Sequence, residues 1–206
     1  MDINYDLQLN IASTIDSTES EGIGDRFAIW TQGCGFKCPG CCNPHLWSNK
    51  GGNLLTVGQL WDKIQAAKVK YPKNSGITFI GGEPLEQADG VAEICKLAQK
   101  NGMSVMIFTG FILEDLQKMN SPILPYTDVL VDGLYVESLR TTTRRFIGST
   151  NQKMHFLTNF YSPDDPRWFE PNSAEIIYNS NKQIQVVGFP FDSVLETFGP
   201  KKKIVL

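Results

Sequence analysis

Four of the chain's five cysteines stand between residues 34 and 42, in the run Cys34-Gly35-Phe36-Lys37-Cys38-Pro39-Gly40-Cys41-Cys42. The first three have the spacing Cys-x3-Cys-x2-Cys. An odd count packed this tightly is a poor disulfide framework and points to metal or redox chemistry. Thiolates are soft ligands that suit iron–sulfur clusters and zinc. Three thiolates on a cubane leave one iron without a protein ligand, free to take a small molecule. Pro39 and Gly40 allow the tight wrap that brings Cys38 and Cys41 onto one cluster. A structural zinc site would use four ligands, commonly as two separated pairs. Here the nearest fourth thiol is Cys42, adjacent to Cys41, and successive side chains diverge. A ferredoxin-type site would need Cys95 as its fourth ligand, but Cys95 lies on an apolar helical stripe and reads as a core residue.

The elements around this loop must position it. Phe27-Ala28-Ile29-Trp30-Thr31 is a short apolar run, read as a buried strand ended by Gly33. Residues 33–53 are rich in Gly and Pro and read as a loop. Thr56-Val57-Gly58-Gln59 fits a capping box, and Leu60, Ile64 and Ala67 follow at helical spacing. Tyr71-Pro72 ends that helix. Ile77-Thr78-Phe79-Ile80 is the next strand, closed by Gly81-Gly82. Val91, Ile94, Cys95 and Ala98 mark one helix face, stopped at Asn101-Gly102. Val105-Met106-Ile107-Phe108 is a third strand, ended by Thr109-Gly110. Leu113, Leu116 and Met119 suggest a short helix, and Val129-Leu130-Val131 a fourth strand ended by Asp132-Gly133.

This alternation predicts parallel βαβ units and an α/β fold. Right-handed crossovers put the strand ends on one rim, where ligand sites of such sheets gather. The cysteine loop, Gly81-Gly82-Glu83, Thr109-Gly110 and Asp132-Gly133 all follow strands, so all are expected on that rim. Gly81-Gly82 would let the backbone approach a ligand closely, and Glu83 could accept from an ammonium group there. Both glycines also fit a plain strand-ending turn. Asp132 could bind a polar ligand group or cap a turn.

The flanks read differently. Residues 1–25 are polar and are expected to form an N-terminal arm; the core is expected over 26–153 and a C-terminal extension over 154–206. In that extension Ile176-Ile177-Tyr178 and Gln183-Ile184-Gln185-Val186-Val187 would pair as a hairpin through Asn179-Ser180-Asn181. Across its 206 residues the chain is 41% hydrophobic and 20% charged with a net charge of −3, as in an ordinary globular protein, with no field to draw it to nucleic acid. The Lys201-Lys202-Lys203 run reads as a solvated tail. No targeting segment or membrane span is visible, so the expected location is the cytoplasm.

At the cysteine loop the chain resembles the radical S-adenosylmethionine (SAM) superfamily, whose signature is Cys-x3-Cys-x2-Cys. The wider match is to activating proteins of glycyl radical enzymes, in particular those of anaerobic ribonucleoside-triphosphate reductase. It is carried by Thr31-Gln32-Gly33-Cys34, Cys38-Pro39-Gly40-Cys41, Asn43-Pro44 with Trp47, Gly81-Gly82-Glu83-Pro84, Phe108-Thr109-Gly110, the run from Asp128 to Gly133, and the run from Arg145 to Gln152. Two positions depart from that pattern: Cys42 stands where an aromatic residue is usual, and Glu83 where many relatives carry Asp. Gly188-Phe189-Pro190 is similar to a tail motif of longer relatives.

The resemblance implies a partial, open parallel (β/α) barrel with a short C-terminal β extension. It implies a 4Fe-4S cluster on Cys34, Cys38 and Cys41. It also implies SAM held by Gly40, Cys41, Cys42, Gly81, Gly82, Glu83, Thr109 and Asp132. The partner implied is a large glycyl radical enzyme, most naturally anaerobic ribonucleotide reductase, with flavodoxin or ferredoxin as one-electron reductant. A peptide or small-molecule target, or a non-catalytic iron–sulfur or zinc module, stands as an alternative. Lys37, Arg140, Arg144 and Arg145 are candidate carboxylate or partner contacts that read equally as surface charges.

Overall fold

A computed structural model describes residues 2–178 and 184–189. A seven-stranded sheet runs in the order β3-β1-β2-β4-β5-β6-β7. Its strands are β1 (Gln8–Thr18), β2 (Arg26–Thr31), β3 (Asn53–Thr56), β4 (Gly76–Gly81), β5 (Ser104–Phe108), β6 (Val129–Asp132) and β7 (Lys153–Phe156). The four central strands β2, β4, β5 and β6 are parallel, as the alternation predicts. The flanking strands β1, β3 and β7 are antiparallel, so the sheet is mixed. Three helices, α1 (Val57–Lys70), α2 (Ala88–Lys100) and α3 (Leu113–Lys118), link the strands from β3 to β6. The Thr56–Gln59 capping box is present at the start of α1, each side chain bonding the other's backbone N–H.

Two expectations need correction. The polar N-terminal stretch is not a free arm: its middle forms β1, because Leu9 and Ile11 alternate with polar residues and are buried. One extra β1 residue between Ile11 and Ser13 makes a bulge against β2. A bulge switches the residues beyond it to the opposite face of the sheet. Leu9 and Ile11 accordingly pack on the helix side, and Ile15 on the other. At the far edge, the expected core boundary after residue 153 falls inside β7, and the sheet continues to Phe156.

The central strands are buried on both faces, which is why they read as unbroken apolar runs. Odd positions of β2, β4 and β5 (Phe27, Ile29, Ile77, Phe79, Val105 and Ile107) join α1 and α2 in the main core. Even positions face the other way. There Ala28 and Trp30 meet Val187 and Ile177, and Met106 and Phe108 join a cluster with Phe146 and Trp168. The expected hairpin is present as β8 (Ala174–Tyr178) and β9 (Ile184–Gly188), antiparallel. It covers that second face. The linking Asn179-Ser180-Asn181 and the Lys201-Lys202-Lys203 run lie outside the described residues.

Candidate active site

The cysteine loop leaves the C-terminal end of β2 and is pinned at its stem. Gly33 N–H donates to Leu46 O at 2.9 Å and Cys34 N–H to Trp47 O at 3.1 Å. The Gln32 side chain donates to Ser48 O at 2.6 Å. Trp47 therefore supports the loop through its backbone carbonyl. Within the loop, Cys41 N–H closes a turn onto Cys38 O at 3.2 Å. Gly40 has φ +70°, and a Cβ there would meet the Glu137 carboxyl carbon at 2.6 Å, so the turn depends on glycine.

Backbone amides face the three sulfurs. Asn43 N–H donates to Cys41 Sγ at 3.4 Å. The N–H groups of Phe36 and Lys37 act on Cys34, and that of Tyr135 on Cys38, holding down thiols that burial pushes up. Amide donors of this kind stabilise thiolates and tune iron–sulfur clusters. All three thiols are free and partly exposed. Cys95 is fully buried in the α2 core and out of reach, as its sequence position predicts. Among the described residues no three Cys, His, Asp or Glu side chains converge as a single metal ion would require. A cubane spreads its thiolates over separate corners. The donor set, three amide-supported thiols in Cys-x3-Cys-x2-Cys spacing with Cys42 beside them and Cys95 buried in the α2 core, fits a cluster with one open iron.

The next rim motif locks onto this loop. Gly82 N–H donates to Thr31 O at 2.9 Å, and Glu83 N–H to Gly33 O at 2.7 Å. A Cβ on Gly82 would stand 2.2 Å from Gly33 O, and one on Gly81, at φ +104°, 2.7 Å from Trp30 Cα. The close approach that these glycines permit is thus to the backbone of β2 and of the cysteine loop. Glu83 is buried and accepts from Leu85 N–H at 2.9 Å, Thr109 Oγ1 at 2.8 Å and Gly110 N–H at 2.8 Å. Burial pushes its carboxyl up to about 7 against the pull of those donors. Glu83 therefore joins the ends of β4 and β5 into one rigid rim.

Two hollows flank the cysteine loop. One is a cleft lined by Phe36, Gly110, Asp132 and Lys153. Asp132 shares the facing of Leu130, so it turns to the helix side, where it accepts from Leu113 N–H at 2.7 Å at the start of α3. His155 Nε2 lies 2.9 Å away without hydrogen-bond alignment. The other hollow, about 180 Å³, opens on the opposite face and is lined by Cys41, Cys42, Trp30, Phe108 and Phe189. The predicted residues are therefore divided: Cys41 and Cys42 reach the cavity, Asp132 the cleft, and Glu83 and Thr109 tie the rim. Of the candidate cations, Arg145 pairs with Glu170, and Arg144 donates to Gln152 O at 3.4 Å.

Residues 20–155 match the family model of the 4Fe-4S single cluster domain. The anaerobic ribonucleoside-triphosphate reductase-activating protein of Escherichia coli K12 is 31% identical over 66% of this chain and 91% of that protein. The chain belongs to the anaerobic ribonucleoside-triphosphate reductase-activating protein family. It is also 34% identical, over 62% of its length and 55% of that protein, to the pyruvate formate-lyase-activating enzyme of Clostridium pasteurianum. The crystal structure of QueE from Escherichia coli aligns with a TM-score of 0.43 at 22% identity, over 50% of this chain and 52% of that one, too distant to carry an argument.

This reductase-activating protein family member has cavity residues that its sequence did not announce. Glu21 is buried in the stretch expected as an arm, and it lines the cavity. Its signal is slight, a carboxylate beside Gly22 and Gly24. In the matched segment near residue 150, Gln152 accepts from Gly148 N–H at 3.0 Å and donates to Gly133 O at 2.9 Å. That amide clips the 147–152 turn to the end of β6. Asn172, from the extension, accepts from Phe146 N–H at 2.9 Å and donates to Thr142 O and Arg144 O. It thereby holds Phe146 at φ +60°, a conformation costly for a bulky residue.

Proposed function

We propose that this chain is a cytoplasmic radical SAM activase. Cys34, Cys38 and Cys41 hold its 4Fe-4S cluster, the mixed sheet serves as the partial barrel, and the target is a glycine of anaerobic ribonucleotide reductase. The observation that carries the reading is the cysteine loop itself: three amide-supported thiols in Cys-x3-Cys-x2-Cys spacing at the end of β2, locked onto the Gly82–Glu83 turn. A 4Fe-4S cluster held by Cys34, Cys38 and Cys41 would supply the one electron for reductive cleavage of SAM to methionine, with the 5′-deoxyadenosyl fragment leaving as 5′-deoxyadenosine once it has taken a hydrogen atom from the target.

The chain's own residues supply placement. Gly81, Gly82, Glu83 and Thr109 fix the rim against which SAM lies, with Gly40, Cys41 and Cys42 on the loop side. The aromatic cavity, which Cys41 and Cys42 line, suits both SAM and the target. Flavodoxin or ferredoxin supplies the electron. The test is anaerobic incubation of the reduced, iron-loaded protein with SAM and the reductase. A glycyl radical signal in electron paramagnetic resonance is expected; 5′-deoxyadenosine formation without that signal would point to another target.

A further inference from the structure

The described part of the C-terminal extension ends inside the cavity. The Phe189 ring stands 6.1 Å from Phe108, at the end of β5, and 6.5 Å from Phe146. Gly188 makes the bend that delivers it. Its φ is +97°, and a Cβ there would meet Ser173 O at 2.5 Å and Ser20 Cβ at 2.7 Å. Phe189 N–H then donates to Ser173 O at 3.1 Å. Both residues lie beyond the 20–155 segment that matches the 4Fe-4S domain.

One buried carboxylate fixes this bend from the core. Glu21 Oε1 accepts from Gly188 N–H at 2.8 Å. Its Oε2 is buried with no partner among the described residues, and the side chain lines the same cavity. Burial pushes this carboxyl up to about 8. Burying a carboxyl with so few partners is costly, so its placement needs a reason. The extension is also firmly seated. Val186 and Val187 are 1% and 0% exposed, and Glu175 accepts from Thr18 Oγ1 at 2.8 Å and Glu19 N–H at 2.9 Å. A segment seated this way is a fixed wall and not a flap.

The geometry points to Phe189 as the residue that closes the reaction cavity and determines what reaches it, with Glu21 as the positioning residue that holds Phe189 in place. This rests on the radical SAM reading above. A radical aimed at one hydrogen must be kept from water and stray donors, and a cavity of about 180 Å³ is tight. Removing the ring would open it.

Two readouts test this on the full, iron-loaded chain: 5′-deoxyadenosine released per glycyl radical formed, and hydrogen exchange at the Gly188 amide. Phe189→Ala is expected to raise the ratio severalfold at unchanged iron content, and Phe189→Leu to raise it less. Glu21→Ala is expected to raise the ratio and to speed Gly188 exchange about tenfold, as the loss of a hydrogen bond to a charged or strongly polar acceptor would. Glu21→Gln keeps an acceptor oxygen and is expected to restore slow exchange and tight coupling. An unchanged ratio in both Phe189 variants overturns the wall. Unchanged Gly188 exchange in Glu21→Ala, or fast exchange in Glu21→Gln, overturns the positioning role. If the wild-type chain forms no 5′-deoxyadenosine, the radical SAM reading fails and the wall falls with it, while Gly188 exchange still decides the link to Glu21.

Discussion

On one face of the central sheet, Phe27, Ile29, Ile77, Phe79, Val105 and Ile107 meet α1 and α2 in a wholly apolar layer. On the other, Trp30, Ile80 and Phe108 are covered by the C-terminal extension. The first face is redundant, since many similar apolar contacts share the burial. The second depends on single polar commitments. Arg26 is fully buried and donates to Thr78 Oγ1 at 2.7 Å, Ser104 Oγ at 2.7 Å and Tyr161 Oη at 3.0 Å. Glu21 holds Gly188, and Asn172 holds Phe146. A close-packed apolar layer has no room for a substrate. A face built from polar anchors and aromatic edges leaves a hollow, and the cysteine loop opens onto that hollow.

Substitutions on the two faces should therefore separate chemistry from stability. The largest effect is expected from Cys34→Ala, Cys38→Ala or Cys41→Ala, each abolishing SAM cleavage and lowering bound iron. Cys95→Ala, on the helix face, should keep both and lose only about 1–2 kcal/mol of stability for the small cavity it leaves. Cleavage surviving in Cys38→Ala would remove that residue from the ligand set. Gly82→Val should displace the cysteine loop, since its Cβ would stand 2.2 Å from Gly33 O. Iron content and SAM affinity should fall together, and normal iron with weakened SAM binding would mean that Gly82 touches SAM directly.

Leu60→Ala, in the apolar layer under the helices, should cost about 3 kcal/mol in denaturant unfolding while leaving radical coupling intact. Asn172→Ala should cost less, about 2 kcal/mol, yet disturb coupling by releasing Phe146. A reversed pattern would erase the distinction between the faces. The smallest effect is a slope with pH. Burial raises the Glu21 carboxyl from its ordinary 4.5 to about 8. Between those values the folded state holds more proton than the unfolded, so this group's contribution to stability falls as pH rises through the window. Glu21→Gln should flatten the fall; the same slope in wild type and variant would assign it to other groups.

Much of the parallel core was legible. Apolar runs between Gly and Pro punctuation located β2, β4, β5 and β6, and helical spacing located α1 and α2. β1 was hidden because Ser, Thr and Asp mask the alternation of Leu9 and Ile11, and the bulge moves Ile15 to the other face. The facing of Asp132 was readable in principle, since alternation groups it with Leu130 and sets it opposite Val129 and Val131. The partner of Gly82 was not: sequence marks a close approach but cannot say that a carbonyl of the cysteine loop makes it. Glu21 and Gly188 lie 167 positions apart, and no local pattern joins them.

The central claim is that three thiols hold a cluster whose fourth iron is open to SAM. Electron–nuclear double resonance on the reduced, iron-loaded protein with SAM labelled by ¹⁵N at its amino group tests it most directly. A resolved nitrogen coupling to the cluster, absent in Cys38→Ala, is the predicted result. A reduced 4Fe-4S signal that ignores labelled SAM, with a fourth protein ligand on the cluster, would contradict it.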